Sequence, residues 1–583
     1  MAFRTLSAAL LLTVHVPQAA VAATLTVDAA APFKAVDHAA SGSLYGVAGD
    51  GWPPDKFITA IKPKNFTQMA PGGGQLPNGE TKPVGDALVV APIAARAGAS
   101  VTIRMPDTFA EFPYMYRGND DWLKRIDAMV RATVAADPPN IYAYEIWNEP
   151  DWTWKTGDFD AFWATTFKAI RALDADRRIM GPSLSRWDEA WMRRFLTTAK
   201  ASGTLPQIVS WHELDPTVAN DLEAHFAAYR ALERDLGIGH LPVSINECAS
   251  PRDSAVPGAL ARLIARLERA GADTADLAFW HKPGRLSDLV APIAGGRGPA
   301  TDPEPNGAYW LYQWYGEMRG QMVATRPPTE SGPTLDGFAS LDAAAQKLTV
   351  VLGGEAGEHQ VAISGLAAFG PDLDAQVYVT HWTGTDGGEG EPDPVRETQV
   401  TSTDGALTIP ISAPNARDAF RIVVTPASKA APFTPPVPHF RQRLEGEAAQ
   451  MVGARVFKMR MAPGNLFAPT VSGDAYAGLL DRKEVSLTFA ASVPNAGPYE
   501  LSFGYSNGLA GNAEYLLSIN GGTPRPVTFT PTQFRELIDQ TKLDVDLPAG
   551  TSSIVLSKGP NSPQGYVPQS VIEIDYLDVT ALN

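Results

Sequence analysis

The chain has 583 residues, of which 44% are hydrophobic and 9% aromatic, with 51 glycines and 49 prolines. This length exceeds what one hydrophobic core supports, and the composition favours about three folded domains over a disordered chain. The formal net charge of −16 argues against a nucleic-acid partner, which requires clustered lysine and arginine, and the single cysteine excludes an internal disulfide.

Residues 1–22 have the pattern of a secretory signal peptide. Arg4 precedes an apolar stretch from Leu6 to Val16, and Ala20-Val21-Ala22 offers a cleavage site of small residues. The apolar stretch is shorter than the roughly 20 residues that a membrane-spanning helix requires. We therefore expect a secreted or periplasmic protein without a membrane span.

Apolar strand-like runs alternate with amphipathic helical stretches between about residues 40 and 325. This alternation predicts an α/β fold, a (β/α)8 TIM barrel assigned to residues 23–325. The eight predicted strands are Ser43–Val47, Asn65–Met69, Ser100–Arg104, Ile141–Trp147, Arg178–Pro182, Gln207–Trp211, Pro242–Asn246 and Asp276–Trp280. Side chains at the carboxyl ends of barrel strands face one common cleft, so reactive residues are expected there.

Two glutamates follow predicted strands at these positions. The fourth strand runs into Trp147-Asn148-Glu149-Pro150, and the strand that begins at Pro242 ends at Glu247. Hydrolysis of a glycosidic bond with retention of configuration requires two carboxyl groups about 5 to 5.5 Å apart. The sequence therefore predicts a catalytic glutamate pair. The alternatives are a helix-capping glutamate at 149 and a salt-bridged loop glutamate at 247.

Short alternating strands replace this pattern after the barrel. They predict a β-sandwich accessory domain over residues 326–425, which the isolated strand Thr24–Val27 is a candidate to join. Residues 426–438 contain five prolines and predict a stiff linker. Residues 439–583 are again all-β in pattern and predict a second β-sandwich, a jelly-roll module.

The motif Trp147-Asn148-Glu149-Pro150 on the fourth strand, with a strand-ending glutamate on the seventh, resembles the retaining glycoside hydrolases of clan A, most closely family 39. The resemblance covers roughly residues 40–425. It implies that Glu149 is the acid/base and Glu247 the nucleophile. It also implies that Asn148 donates its amide to the sugar hydroxyl next to the anomeric carbon.

Further cleft residues follow from position and from the same resemblance. His212, at the end of the sixth strand, resembles the position that forms a hydrogen bond near the nucleophile, with a structural histidine as the alternative. Trp280, at the end of the eighth strand, is expected to form an aromatic floor for the sugar, with core packing as the alternative. Tyr45 and Trp152 are candidates for further walls of the subsites.

The second strand departs from the clan A pattern. Many members of the clan carry an arginine there that supports the nucleophile, whereas this strand runs into Met69-Ala70-Pro71-Gly72-Gly73-Gly74. Arg104, at the end of the third strand, either replaces that arginine or pairs with Asp107. This departure leaves the sugar specificity open.

The C-terminal segment resembles carbohydrate-binding modules of families 6 and 35. The resemblance rests on Leu444-Glu445-Gly446-Glu447-Ala448, Tyr505-Ser506-Asn507-Gly508 and Ile574-Asp575-Tyr576-Leu577. It implies a structural Ca²⁺ site formed by Glu445, Glu447 and Asp575, whose oxygen atoms suit this ion; three unconnected surface carboxylates are the alternative. It also implies a sugar-binding site, for which the candidates are Tyr476, Tyr505, Asn507, Asn561 and Tyr566.

Together these features predict a secreted retaining glycoside hydrolase that needs no cofactor for catalysis. The expected substrates are polysaccharide or oligosaccharide side chains with α-L-arabinofuranoside, β-xyloside or related linkages, such as those of arabinogalactan. The alternative is a catalytically silent carbohydrate-binding protein on a barrel scaffold. The nine histidines show no HExxH or HxH spacing, which argues against a metal-dependent hydrolase. The linkage, exo or endo action and the oligomeric state stay open.

Overall fold

The computed structural model describes most of the chain from residue 22 onward. The described ranges are 22–77, 82–215, 221–279, 285–286, 288–290, 305–330, 332, 334–384, 390–431, 433, 440–458, 471–481, 484–508, 511–532, 538–558 and 572–582. Residues 1–21 of the expected signal peptide, and the candidate residues Trp280, Asn561 and Tyr566, lie outside them. Within these ranges no helix is long and apolar enough to cross a membrane.

Eight parallel strands form a closed barrel, which confirms the predicted TIM barrel. The strands are β2 (Gly42–Leu44), β3 (Asn65–Met69), β4 (Ser100–Arg104), β5 (Ile141–Glu145), β6 (Ile179–Leu184), β7 (Ile208–Trp211), β8 (Val243–Cys248) and β9 (Thr274–Leu277). Most of their residues are buried. Both faces of these parallel strands are covered, one by the barrel interior and the other by helices. Nearly every residue of a strand is therefore buried, which explains the apolar runs in the sequence.

Helices follow the strands along the chain, and most of them cover the outside of the barrel. They are α1 (Asp55–Ala60), α2 (Ala87–Ala97), α3 (Asn119–Ala136), α4 (Pro150–Thr153), α5 (Phe159–Leu173), α6 (Glu189–Ala201), α7 (Leu222–Leu236), α8 (Pro257–Ala270) and α9 (Gly307–Glu317). Several begin at an aspartate whose side chain accepts backbone N–H groups, as Asp86, Asp158 and Asp188 do. These caps fix where each helix starts behind its strand.

A nine-stranded sheet with its own hydrophobic core forms the predicted β-sandwich. Its strands are β1 (Ala23–Ala35), β10 (Gln321–Arg326), β11 (Asp336–Asp342), β12 (Lys347–Gly353), β13 (Gly357–Ser364), β14 (Asp372–Thr380), β15 (Asp393–Thr401), β16 (Leu407–Ala413) and β17 (Ala419–Pro426). The isolated strand before the barrel, β1, pairs here with β10 and β13. The sandwich therefore takes strands from both sides of the barrel segment.

Helix α8 joins the barrel to the sandwich. Gly258 donates its backbone N–H to the carbonyl of Arg417 at 2.7 Å, and a Cβ at this position would lie 2.3 Å from the carbonyl oxygen of Ala416. Only glycine permits this close approach of helix and sheet. Further along the helix, Arg266 and Arg269 pair with Asp336, the first residue of β11.

The C-terminal module consists of two further sheets that enclose one core. Its strands are β18 (Arg441–Glu445), β19 (Gln450–Val452), β20 (Arg455–Lys458), β21 (Ala475–Gly478), β22 (Ser486–Val493), β23 (Gly497–Ser506), β24 (Ala513–Ile519), β25 (Arg525–Phe529), β26 (Asp539–Leu547), β27 (Gly550–Ser557) and β28 (Glu573–Ala581). One sheet has six strands and the other five. This arrangement agrees with the predicted second β-sandwich.

The C-terminal module packs directly against the other two domains. Trp382 of the sandwich domain and Tyr576 of the module belong to one buried cluster with Val256, which precedes α8. The Tyr576 hydroxyl donates to the carbonyl of Thr383 at 2.7 Å, and Arg443 lies over the Tyr576 ring at 3.9 Å. The module is therefore held by specific contacts in addition to its chain connection.

Candidate active site

The carboxyl ends of the barrel strands surround a cleft of about 750 Å³. Its lining includes the predicted residues Tyr45, Asn148, Glu149, Trp152 and Glu247. It also includes residues that were not predicted as cleft residues, among them Leu76, Asp107, Phe112 and Tyr114. The cleft lies where the strand-end rule places the chemistry of a barrel.

Glu149 and Glu247 enter this cleft from opposite sides of His212. Glu149 follows β5, Glu247 lies on β8, and both side chains are almost fully buried. His212 Nδ1 lies 3.0 Å from Glu149 Oε1, and His212 Nε2 lies 3.7 Å from Glu247 Oε1. One side-chain atom of each residue lies within 4.8 Å of the other two. This separation is closer to that of retaining glycosidases than to the roughly 6.5 to 9.5 Å of inverting ones.

The same three residues are the one group of acidic, histidine or cysteine side chains with such close spacing among the described residues. Burial lowers the pKa of His212, but the charges of Glu247 and Glu149 outweigh it and raise the pKa above its ordinary value. The two carboxyl groups therefore favour the protonated form of the imidazole that lies between them.

Arg104 forms charged hydrogen bonds with Glu247 and with Glu145. Its Nη1 donates to Glu247 Oε1 at 2.6 Å and its Nε donates to Glu145 Oε2 at 2.9 Å. The other oxygen of Glu145 accepts a hydrogen bond from Asn246 Nδ2 at 2.8 Å. The hydrogen bonds of Arg104 therefore go to these two glutamates and not to Asp107, the partner that the sequence offered as an alternative.

Asp107 is instead held by two tyrosines. The hydroxyls of Tyr45 and Tyr114 both donate to its carboxylate, the second at 3.0 Å. Burial raises the pKa of Asp107 to about 7, although Arg104 and the two hydroxyl donors oppose this shift. This group of three side chains forms the inner wall of the cleft next to Arg104.

Two of the cleft residues have a left-handed backbone. Tyr45 has a φ of 50° and Glu149 a φ of 54°, a region that side chains other than glycine rarely adopt. Backbone bonds hold both, because Tyr45 N–H donates to the carbonyl of Thr67 and Glu149 N–H to the carbonyl of Ser183. Strained conformations of this kind are concentrated at functional sites, where they aim side chains into a cleft.

Asn148 and Trp152 complete the surroundings of Glu149. The indole Nε1 of Trp152 donates to Glu149 Oε2 at 2.7 Å. The side-chain oxygen of Asn148 is buried without a hydrogen-bond partner among the described residues. Glu149 therefore has His212 on one oxygen and Trp152 on the other, and the neighbouring amide keeps an acceptor atom available for a ligand.

Sequence reasoning missed Asp107, Tyr114, Phe112 and Leu76. Asp107 had a usable signal, because it is a polar residue three positions beyond the end of β4. The other three lie in loops of irregular sequence, and their position in the cleft results from contacts between segments far apart in the chain.

The described sugar-site candidates of the module are largely structural. Tyr505 is fully buried and donates its hydroxyl to the carbonyl of Thr530 at 3.0 Å. Asn507 is also fully buried, and its Nδ2 donates to the carbonyl of Phe529 at 3.0 Å. These two side chains offer no surface to a sugar, which corrects that expectation. Tyr476 is partly buried and stacks on Phe457 with ring centroids 5.5 Å apart.

The predicted calcium ligands lie around the turn that contains Ser472 and Gly473. Glu445 Oε1 accepts from the Ser472 hydroxyl at 2.8 Å, and both oxygens of Asp575 accept from the Ser472 backbone N–H at 2.9 and 3.0 Å. A Cβ on Gly473 would lie 2.3 Å from Glu447 Oε1. The pKa of Asp575 is raised well above its ordinary value by burial and by the charge of Glu445.

Comparison with known proteins identifies several glycosidases as relatives. The chain is 26% identical over 479 residues to a 3-O-beta-L-arabinopyranosyl-alpha-L-arabinofuranosidase of Bifidobacterium pseudocatenulatum. It is 26% identical over 420 residues to a 3-O-alpha-D-galactosyl-alpha-L-arabinofuranosidase of Bifidobacterium longum subsp. longum. These matches cover 69% and 68% of this chain but only 47% and 35% of the relatives, so the chain spans half or less of their length.

A solved structure is also similar to the chain. The structure of N2152 from Neocallimastix frontalis shares 32% sequence identity and a TM-score of 0.65, and the match covers 70% of this chain and 100% of that one. No protein-family model matches the chain. The solved structure supports the fold, and the names of the relatives support a glycoside hydrolase.

Proposed function

The chain is related to glycoside hydrolases, and from that premise we propose that it is a clan A enzyme similar to family 39, a retaining glycosidase that releases α-L-arabinofuranosyl units from polysaccharide side chains. The observation that carries the proposal is the close pair of buried glutamates, Glu149 and Glu247, bridged by His212. The sugar is chosen because two relatives, matched over 479 and 420 residues, are named as α-L-arabinofuranosidases.

In the first step, protonated Glu149 donates its proton to the glycosidic oxygen while the Glu247 carboxylate attacks the anomeric carbon. The bond from that carbon to the leaving oxygen breaks, the leaving sugar departs as an alcohol, and a covalent glycosyl ester forms on Glu247. In the second step, Glu149 removes a proton from a water molecule that attacks the same carbon. The ester bond breaks, and the sugar is released with its original configuration.

The neighbouring residues supply what these two steps require. Arg104 holds the attacking carboxylate of Glu247 through a charged hydrogen bond of 2.6 Å. His212 lies between Glu149 and Glu247, with Nδ1 3.0 Å from the first and Nε2 3.7 Å from the second, and holds the two side chains in position. Asn148 offers its amide to the sugar hydroxyl beside the anomeric carbon, an interaction that strengthens as positive charge develops in the transition state.

The names of the two relatives also specify a substituent on the arabinofuranose, because each name includes a sugar attached at its 3-O position. The cleft, at about 750 Å³, lies in the upper part of the range for ligand pockets. We therefore include 3-O-substituted arabinofuranosides among the substrates of this chain. Export from the cytoplasm, which the N-terminal pattern suggests, would place the enzyme where such polysaccharides occur.

The test is a substrate screen with wild-type protein and two variants. Aryl α-L-arabinofuranosides, their 3-O-glycosylated forms, β-xylosides and arabinogalactan are incubated with wild type, Glu247→Gln and Glu149→Ala. We expect release of an arabinofuranose-containing product, loss of at least a thousandfold in kcat for Glu247→Gln, and partial rescue of Glu149→Ala by azide.

An azide adduct with the configuration of the substrate would support double displacement, whereas an inverted product would contradict it. Turnover by Glu247→Gln that equals the wild type would remove this residue as the nucleophile. Binding to a polymer without any turnover by the wild type would instead support a catalytically silent carbohydrate-binding protein. Circular dichroism spectra of both variants control for folding.

For the C-terminal module we propose a structural calcium ion held by Glu445, Glu447 and Asp575. The residues fit this ion, because Glu445 Oε2 is buried without a hydrogen-bond partner among the described residues and Asp575 is fully buried. Calcium would supply the positive charge that these carboxylates need. We expect calcium to raise the melting temperature of the wild type but not of Asp575→Asn, and an equal response of both would contradict the site.

We also propose that this module binds carbohydrate through its surface loops. The support is its two-sheet architecture and the resemblance of its sequence to known modules. Affinity electrophoresis of full-length Glu247→Gln tests the proposal, because this variant is expected to bind the polymer without degrading it. We expect arabinogalactan in the gel to slow its migration, and removal of residues 439–583 to weaken that effect. An equal delay with and without these residues would contradict binding by the module.

A further inference from the structure

We propose that Leu76, Phe112 and Trp152 form a subsite for the leaving-group sugar, here named the mouth platform. The proposal rests on the proposed glycosidase function, because a leaving group exists only if a glycosidic bond is cleaved. Its ligand is the sugar ring whose oxygen Glu149 protonates. The three residues line the same cleft as the two glutamates.

The hydrogen bonds of Glu149 define the direction of the platform. Its Oε1 faces His212, which lies between Glu149 and Glu247. Its Oε2 faces the other way and accepts a hydrogen bond from the Trp152 indole at 2.7 Å. The sugar that is attacked must lie over Glu247. The group that leaves is bonded to the oxygen protonated by Glu149, and its ring therefore extends from the cleft on the Trp152 side.

Burial changes from one end of the cleft to the other in the same direction. Tyr45, Arg104 and Asp107, next to Glu247, are buried. By contrast, Leu76, Phe112 and Trp152 are 43%, 52% and 40% exposed. The inner end thus encloses the arabinofuranosyl unit that is attacked, while the leaving group rests at the opening with the rest of its chain in solvent.

The chemistry of the platform suits a sugar ring. The rings of Phe112 and Trp152 meet edge to face, with centroids 5.6 Å apart and planes at 82°. This right-angled corner presents apolar ring surface to the C–H groups of a sugar, and large exposed apolar side chains at a cleft commonly mark a ligand surface.

A hydrogen-bonded link holds the two loops of the platform together. Gln75, next to Leu76, donates its Nε2 to the carbonyl of Phe109 at 2.8 Å and to the carbonyl of Glu111 at 3.2 Å. Glu111 precedes Phe112 directly. The platform is therefore arranged before a ligand arrives, which lowers the free-energy cost of binding.

The exposed corner formed by Phe112 and Trp152 lies at the opening of the cleft. This position predicts that the enzyme removes terminal units of a polysaccharide, while the rest of the polysaccharide extends into solvent.

The test compares two alkyl-type leaving groups on one arabinofuranosyl unit. The substrates are methyl α-L-arabinofuranoside and an α-L-arabinofuranosyl oligosaccharide, and the proteins are wild type, Phe112→Ala, Phe112→Trp and Met115→Ala. Met115 is the matched control, because it lies in the same loop, is 56% exposed and does not line the cleft.

We expect Phe112→Ala to lower the ratio of kcat/KM for the oligosaccharide over the methyl glycoside about 10-fold, a typical loss for one ring contact. Phe112→Trp should restore most of the ratio, and Met115→Ala should leave it at the wild-type value. An unchanged ratio in Phe112→Ala, or an equal loss in Met115→Ala, overturns the platform but leaves the glycosidase intact. A wild type that cleaves no glycoside overturns the glycosidase, and the platform with it.

Discussion

Arg104 is a buried cation beside the cleft whose guanidinium contacts two buried carboxylates. It is buried between Glu145 and Glu247 and donates to both carboxylates. We expect Arg104→Met to lower the free energy of unfolding by about 3 to 5 kcal/mol, because two buried carboxylates lose their counter-charge. The same change should reduce kcat/KM, since Glu247 loses its support. Thermal denaturation and steady-state kinetics measure the two effects.

Arg104→Lys is the matched control for this change, because it keeps the charge but not the two-sided hydrogen bonding of a guanidinium. It should fall between the wild type and Arg104→Met in both measurements. If Arg104→Met were as stable as the wild type, Arg104 would not be needed to balance the negative charges of Glu145 and Glu247.

His212 links the stability of the protein to pH. Its pKa in the folded protein is raised above the ordinary value of 6.5. Its proton therefore contributes stability that is complete below about pH 6.5 and is lost as the pH rises through the pKa of the folded state. We expect the melting temperature of the wild type to exceed that of His212→Gln most at about pH 6. The difference should shrink towards about pH 9, and a difference that grows with pH would contradict the assignment.

The meeting of Glu149 and Glu247 in one cleft could be predicted from the sequence, because the carboxyl ends of barrel strands converge. The tyrosine contacts of Asp107 could not, since Tyr45 is 62 positions away in the chain. Residue type also misled the prediction for Tyr505 and Asn507. A tyrosine and an asparagine suit a sugar site, but the same groups can satisfy buried backbone carbonyls, as they do here.

Among the elements, α8 is the clearest case in which tertiary contacts decide the environment of a predicted helix. Its arginines at 262, 266 and 269 are typical of a solvent-facing side, and the sequence gives no sign that a sheet covers them. In the structure, Asp336 on β11 is fully buried and accepts from Arg266 at 3.2 Å and from Arg269 at 2.8 Å. The helix itself could be predicted from its amphipathic pattern. The burial of its arginine-bearing side could not, because it depends on Asp336, about 70 positions later in the chain.

This contact predicts a large effect of Asp336→Ala. The change leaves the buried guanidinium of Arg266 without its partner carboxylate, which costs about 3 to 5 kcal/mol. Glu330→Ala is the matched control, because it removes a carboxylate whose ion pair with Arg326 is exposed, with side chains 82% and 75% accessible. That pair is worth about 0 to 1 kcal/mol. Chemical denaturation of both variants makes the comparison, and equal losses would contradict the role of Asp336.

At the scale of the whole molecule, strands that follow the barrel in the chain pair with β1, the strand that precedes it. Strand β1 lies between β10 and β13, so the sandwich closes only after the barrel has been completed between β1 and β10. The sequence showed an isolated strand but not its partners, because strand pairing at such separation leaves no local pattern. The barrel and the sandwich are therefore expected to support each other's stability.

The junction with the C-terminal module gives a prediction for the molecule as a unit. Trp382 is fully buried against the ring of Tyr576, with centroids 6.2 Å apart, and its carbonyl accepts from Arg443 Nη2 at 3.3 Å. Removing this side chain in Trp382→Ala leaves a cavity at the junction and costs about 3 to 5 kcal/mol. Because the contacts of Trp382 connect two domains, we expect the module to separate from the sandwich domain.

Small-angle X-ray scattering measures this separation as a larger radius of gyration of Trp382→Ala at a temperature where the protein is folded. Phe489→Ala is the control, because Phe489 is buried in the core of the module and outside the junction cluster. It should lower the stability of the module without changing its position. A scattering curve of Trp382→Ala identical to that of the wild type would show that the remaining contacts, such as Tyr576 with Thr383, hold the module in place by themselves.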